Sequence, residues 1–176
     1  FHHLKVDYAE GEKWSNPPVD FLKFKRIIDE WQVGMTQGRG WNALFLNNHD
    51  QPRATSRFGN PDQYPYETAT LLATTIQFLR GTPYLYQGEE IGMTNPNFTS
   101  IHDYQDVETK NYYQLMLADG LSEEESLAII QAKSRDNSRT PMQWNDQAHA
   151  GFTQGQPWIA VASNYPQVNV AREREE

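Results

Sequence analysis

The chain has 176 residues, 38% of them hydrophobic, which suits a core of about one domain. A net charge of −8 argues against a nucleic-acid partner, because that binding rests on Lys and Arg neutralising phosphates. The absence of cysteine excludes a disulfide scaffold and a thiolate metal site, and fits a reducing, cytoplasmic setting.

Phe1 to Val6 reads as the end of a strand, and Asn16-Pro17-Pro18 then breaks the chain. Phe21, Phe24, Ile28, Trp31 and Met35 recur at helical spacing, which predicts a helix with Asp20 as its N-cap and Gly38 and Gly40 beyond its end. Trp41 to Leu46 is a short apolar run that reads as a buried strand running into Asn47-Asn48-His49-Asp50. A loop with Pro52, Gly59, Pro61 and Pro65 leads to a helix predicted over Glu67 to Leu79. Pro83 to Tyr86 reads as the next strand, ending in Gln87-Gly88-Glu89-Glu90. Helices alternating with strands predict an α/β fold with a parallel sheet, whose chemistry gathers at the carboxyl ends of the strands. Two more helices are predicted, one from Val107 to Ala118 and one opened by a capping box of Ser122 and Glu125. A polar loop from Ser134 to Trp144 follows, and Arg172 to Glu176 is a charged, solvated end. No apolar run approaches the roughly 20 residues that cross a bilayer, so no membrane partner is expected. The chain opens at Phe1, so the lack of a signal peptide carries no information.

Taken singly, the polar clusters leave several chemistries open. His49-Asp50 at a strand end suits sugar binding or stabilisation of positive charge, and equally a metal phosphohydrolase or a plain loop hydrogen bond. Glu89 and Glu90 suit a metal or an acid–base pair, but loop carboxylates more commonly bond the local backbone. His2, His3, Lys5 and Lys13 make a basic cluster that binds an anion or is simply a solvated surface. Arg139 is either a surface charge or a planar fork for adjacent hydroxyls. No acidic loop of calcium type occurs, and no cofactor or metal is predicted.

Three segments together are more specific. Asn48 to Arg53, Gly81 to Met93 and Arg135 to Trp144 resemble, in order and spacing, the oligo-1,6-glucosidase-like branch of the α-amylase superfamily. The resemblance covers nearly the whole chain. It implies a (β/α)8 TIM barrel of which residues 1–176 supply the C-terminal part, about strands 6 to 8 with their helices. The upstream barrel half and a later β domain would lie outside these residues. Asp50 then corresponds to the carboxylate that stabilises the transition state. His49 and Arg139 correspond to residues that hold the sugar, and Arg53 joins the substrate-binding set. The nucleophile and the acid/base have no counterpart here, so the isolated chain is expected to be inactive and to need the remainder of its catalytic domain.

The opening segment, Phe1 to Tyr8 followed by Gly11 to Trp14, resembles the trehalose-6-phosphate hydrolases within that branch. This implies a phosphorylated disaccharide as substrate, with His3, Lys5 and Lys13 on the phosphate side. The alternatives are an oligo-1,6-glucosidase or dextran glucosidase acting on neutral α-glucosides, and a non-catalytic carbohydrate-binding protein. Two departures stand out. Leu46-Asn47 replaces an expected aromatic and small residue, and Arg172 to Glu176 ends short of the family's β domain.

Overall fold

A computed structural model of the chain describes residues 4–175. Helix α1 spans Phe21–Gln37 and begins as the sequence predicts, with the Asp20 carboxylate accepting from the Lys23 N–H at 2.8 Å. Its end is closed by Gly38, whose N–H donates to the Gly34 carbonyl at 2.9 Å. Phe24 is the buried residue of α1, while Phe21 and Trp31 of the predicted apolar face are exposed. Phe24 packs with Leu4, Val6, Leu44, Leu46, Phe58, Leu72 and Ile76 in the largest apolar cluster, with Ile27 and Ile28 at its margin.

Strand β1 (Ala43–Leu44) and strand β2 (Thr82–Pro83) run parallel, with Ala43 opposite Thr82 and Leu44 opposite Pro83. The Thr82 N–H donates to the Asn42 carbonyl and the Tyr84 N–H to the Leu44 carbonyl, each at 2.8 Å. The chain crosses between them through α2 (Ala54–Phe58) and α3 (Pro65–Gln77), the helical connection a parallel pair requires. Gly81 stands where the strands approach: a Cβ there would lie 2.6 Å from the Asn42 carbonyl oxygen. Pro at the first position starts α3 two residues earlier than the periodicity suggested.

Three expectations change. Both strands are shorter than their apolar runs, since only the residues facing each other form a ladder. Residues 4–6 form no strand. The Leu4 carbonyl accepts from Arg57 Nη2, the Lys5 carbonyl from Lys23 Nζ and the Val6 carbonyl from the Asp20 N–H, so side chains and a turn take acceptors a ladder would use. The loop after Asp50 also contains α2, which the sequence did not suggest. Its first amides are capped from afar: Arg53 N–H donates to Asn95 Oδ1 at 2.9 Å and Ala54 N–H to Asn47 Oδ1 at 2.7 Å.

Beyond β2, a 3-10 turn at Glu89–Ile91 leads into an irregular stretch. Helices α4 (Val107–Ala118) and α5 (Glu123–Lys133) then pack on each other. The predicted capping box of Ser122 and Glu125 is present at α5. Tyr104, Tyr113, Met116, Ile130 and Ile159 fill the second apolar cluster, and a short helix α6 (Val170–Glu173) lies in the charged C-terminal segment. No helix among the described residues is long and apolar enough to cross a membrane.

Candidate active site

The loop after β1 is folded by its own side chains. Asn48 Oδ1 accepts from the Asp50 N–H at 2.9 Å, which turns the chain and brings His49 and Asp50 to the surface. Behind it, Leu46 is buried in the main cluster and Asn47 caps α2. The Leu46-Asn47 departure is therefore used structurally: one residue packs, the other holds the helix that follows the loop.

Arg139 arrives from the opposite side, at the end of the 3-10 turn Arg135–Ser138 that follows α5. Its Nε donates to the His49 carbonyl at 2.7 Å, and its Nη2 stands 3.2 Å from Asp50 Oδ1. Asp50 Oδ2 lies 3.3 Å from His49 Nε2. The three residues expected to hold and stabilise a sugar thus meet at one place. The Asp50 side chain keeps 38% of its surface exposed and His49 70%, so both present polar atoms to a ligand.

A second arginine extends the site. Arg135 Nη2 bonds Asp106 Oδ1 at 2.6 Å, Nη1 lies 3.7 Å from Asp50 Oδ1, and Nε lies 3.2 Å from Glu108 Oε2. The last contact is an ion pair without hydrogen-bond geometry. Glu108 Oε2 also accepts from Lys13 Nζ at 2.9 Å. A continuous string of opposite charges therefore runs from Lys13 through Glu108 and Arg135 to Asp50. Lys13 Nζ sits 4.6 Å from the centre of the Trp14 ring, and Trp14 stacks on Tyr112 at 5.0 Å.

Buried acids anchor this string. Asp106 caps α4 by accepting from the Thr109 N–H at 3.0 Å. Burial pushes its carboxyl up, but the bonds from Arg135 and Thr109 outweigh that and hold it below the ordinary aspartate range. The bond to Asp106 in turn raises Arg135. Asp136 is fully buried and accepts from the Gln105 and Asp106 N–H groups at 2.7 and 2.8 Å. Asp106, Glu108, Arg135 and Tyr112 were not singled out from the sequence. Only the cap position of Asp106 before α4 and the place of Arg135 in the polar loop signalled them.

Other expected residues are placed differently. Arg53 is turned inward, 1% exposed, with Nη1 donating to the Gln87 carbonyl at 2.6 Å and its guanidinium 5.3 Å from the Tyr86 ring. Burial lowers it to about 10. Its reach is spent on the loop after β2, so direct substrate contact is corrected to a supporting role. Glu89 accepts from the Tyr86 N–H at 3.1 Å, a local backbone bond, and burial pushes its carboxyl up. Lys5 is exposed, near Lys23, whose Nζ bonds the Lys5 carbonyl at 3.2 Å. His2 and His3 lie outside the described residues. Among the described residues, no group of three His, Asp or Glu side chains is placed to hold a metal ion.

Comparison with known proteins bears on this geometry. The model for "Alpha amylase, catalytic domain" matches residues 1–176. The trehalose-6-phosphate hydrolase of Bacillus subtilis (strain 168) is 57% identical over 96% of this chain and 30% of its own length. The oligo-1,6-glucosidase of Bacillus cereus is 50% identical over 97% of this chain and 30% of its own. The crystal structure of Bacillus licheniformis trehalose-6-phosphate hydrolase superposes with a TM-score of 0.97 at 54% identity, covering all of this chain and 32% of that one. The chain thus spans about a third of the length of the relatives it matches. With a family match along its full length and a fold shared with a solved catalytic domain, the chain belongs to the α-amylase family.

Proposed function

We propose that residues 1–176 are the C-terminal part, about strands 6 to 8, of a (β/α)8 barrel in a retaining α-glucosidase. Its reaction is the hydrolysis of α,α-trehalose 6-phosphate to glucose and glucose 6-phosphate. The observation that carries the reading is the link from Asp50, through Arg135 and Glu108, to Lys13 over Trp14. It sets a sugar-binding carboxylate at one end and a cation on an aromatic ring at the other. The higher identity to a trehalose-6-phosphate hydrolase than to an oligo-1,6-glucosidase supports it.

In this reading a terminal glucose rests against His49, Asp50 and Arg139. Retaining hydrolysis uses two carboxyl groups about 5 Å apart, one attacking C1 and one protonating the leaving oxygen. Those two belong to preceding barrel strands. Asp50 is a third carboxylate, whose negative charge favours the ring as it gains positive charge. Lys13 faces the phosphate of the departing glucose 6-phosphate. The reaction is proposed as cytoplasmic, a setting that the absence of cysteine fits.

One observation favours a second reading. Lys13 already has a partner in Glu108, and a neutralised pair suits the hydroxyls of an uncharged sugar, as in an oligo-1,6-glucosidase. The test is a hybrid enzyme in which these residues replace the matching segment of the Bacillus subtilis relative. A kcat/KM for trehalose 6-phosphate at least tenfold above that for isomaltose is expected. The reverse preference overturns the phosphosugar reading.

A further inference from the structure

Away from the exposed site, three charged side chains meet in the interior. Asp7 Oδ1 lies 2.7 Å from Arg57 Nη2, and its Oδ2 accepts from Arg57 Nε at 2.9 Å and from Lys133 Nζ at 2.6 Å. Lys133 Nζ also donates to the Asp7 carbonyl at 2.7 Å. The three side chains are only 3–4% exposed. The Tyr8 ring covers both cations, 5.9 Å from Arg57 and 5.5 Å from Lys133. Arg57 uses its remaining donors on the Leu4 carbonyl and, at 2.7 Å, on Gln51 Oε1.

Each member belongs to a segment that carries part of the site. Asp7 precedes Lys13 on the opening segment. Arg57 lies on α2 and holds Gln51, the neighbour of Asp50. Lys133 ends α5, two residues before Arg135. We infer that Asp7 is a positioning residue for glycoside hydrolysis, clamping these three segments so that Asp50, Arg139 and Lys13 keep their relative places. Stability alone explains the cluster poorly, because desolvating three charges offsets most of their attraction, and apolar side chains of similar size serve as well. Directional bonds fix a register that apolar packing leaves loose. The two oxygens of the aspartate take three contacts from two cations, so it is the member the other two share.

The inference rests on the α-glucosidase reading but not on the phosphate. Its test uses the hybrid enzyme with 4-nitrophenyl α-glucoside, a neutral substrate, and with trehalose 6-phosphate. Asp7→Asn leaves Arg57 and Lys133 facing each other without a counter-charge. We expect kcat for the neutral substrate to fall at least tenfold per folded molecule, with KM changed less than threefold. Adding Lys133→Met to Asp7→Asn removes one of the opposed cations and should recover kcat at least threefold over the single variant. A folded Asp7→Asn enzyme with kcat within twofold of the parent overturns the inference, as does a double variant no better than the single. If Asp7→Asn does not fold, Lys133→Met alone decides. It keeps the Asp7–Arg57 pair and should lower kcat at least threefold without lowering Tm, whereas an unchanged kcat overturns the clamp. A hybrid that cleaves the neutral glucoside but not trehalose 6-phosphate fails only the phosphate reading.

Discussion

Arg139 bridges two consecutive residues of the loop after β1: its Nε bonds the His49 carbonyl at 2.7 Å while its Nη2 faces Asp50 at 3.2 Å. A lysine has one nitrogen in place of the planar fork, so it does not reproduce the two spaced donors that this bridge uses. Arg139→Lys in the hybrid enzyme should therefore lower kcat/KM for any α-glucoside by roughly 10- to 100-fold, about 1.5–3 kcal/mol for a lost bond to a charged group. Steady-state kinetics with two sugars check it, and a loss below threefold would show that the bridge is dispensable.

Asp50→Asn keeps shape and hydrogen-bonding capacity but removes the charge that matters most when the ring is cationic. The expected result is a kcat reduced far more than KM is raised, since the lost interaction belongs to the transition state. A near-normal kcat would reassign Asp50 to loop structure, where its N–H already bonds Asn48.

Lys13 and Glu108 make opposite predictions. Lys13→Ala should cost about 1.5–3 kcal/mol in kcat/KM with the phosphorylated substrate and much less with a neutral one. Glu108→Gln releases Lys13 from its 2.9 Å partner and should lower KM for the phosphorylated sugar. If both substrates respond equally to Lys13→Ala, the lysine binds no phosphate.

Acid stability should depend on Asp7. Burial pushes its carboxyl up, but Arg57 and Lys133 outweigh that and hold it below the ordinary value of 3.8. A folded-state value below the unfolded one means stability is fully present above the unfolded value and is lost as pH falls through the folded one. Asp7→Asn should therefore unfold with a flatter acid limb than the parent, as followed by urea midpoints at descending pH. The charged groups facing Asp7 are Arg57 and Lys133, with the Tyr8 ring over both. Tyr8 titrates above its ordinary value, pushed up by burial, and so stays neutral in this range.

The isolated chain should associate and lack glucosidase activity. Phe78, just past the end of α3, is 86% exposed, and Trp41, Tyr84 and Leu85, flanking the two strands, are each 58% exposed. Apolar surface beside two short paired strands seeks cover. Sedimentation showing a monomer at high concentration would contradict this.

What the sequence disclosed follows the range over which each signal acts. The Asp20 cap, the Ser122–Glu125 box and the bounds of α4 are local, and all are present. The meeting of Asp50 with Arg139 joins residues 89 apart and was legible only through the resemblance of whole motifs. Helix α2 escaped notice because Asn47 and Asn95 supply its capping from outside any local window. Arg53 was misread for a like reason: nothing near it in sequence shows that the Gln87 carbonyl waits for it across the crossover. Asp7 was not singled out, because both of its cations lie far along the chain.

The Asp7–Lys133 bond closes a loop of 126 residues. During synthesis Asp7 is made long before Lys133, and until Lys133 emerges Arg57 is the one of its two counter-charges available. The contact that completes the trio therefore comes late and carries the loop-closure cost of a long chain, the kind of non-local pairing that slows folding. Growing chains would pass through a period in which the opening segment is half-tethered.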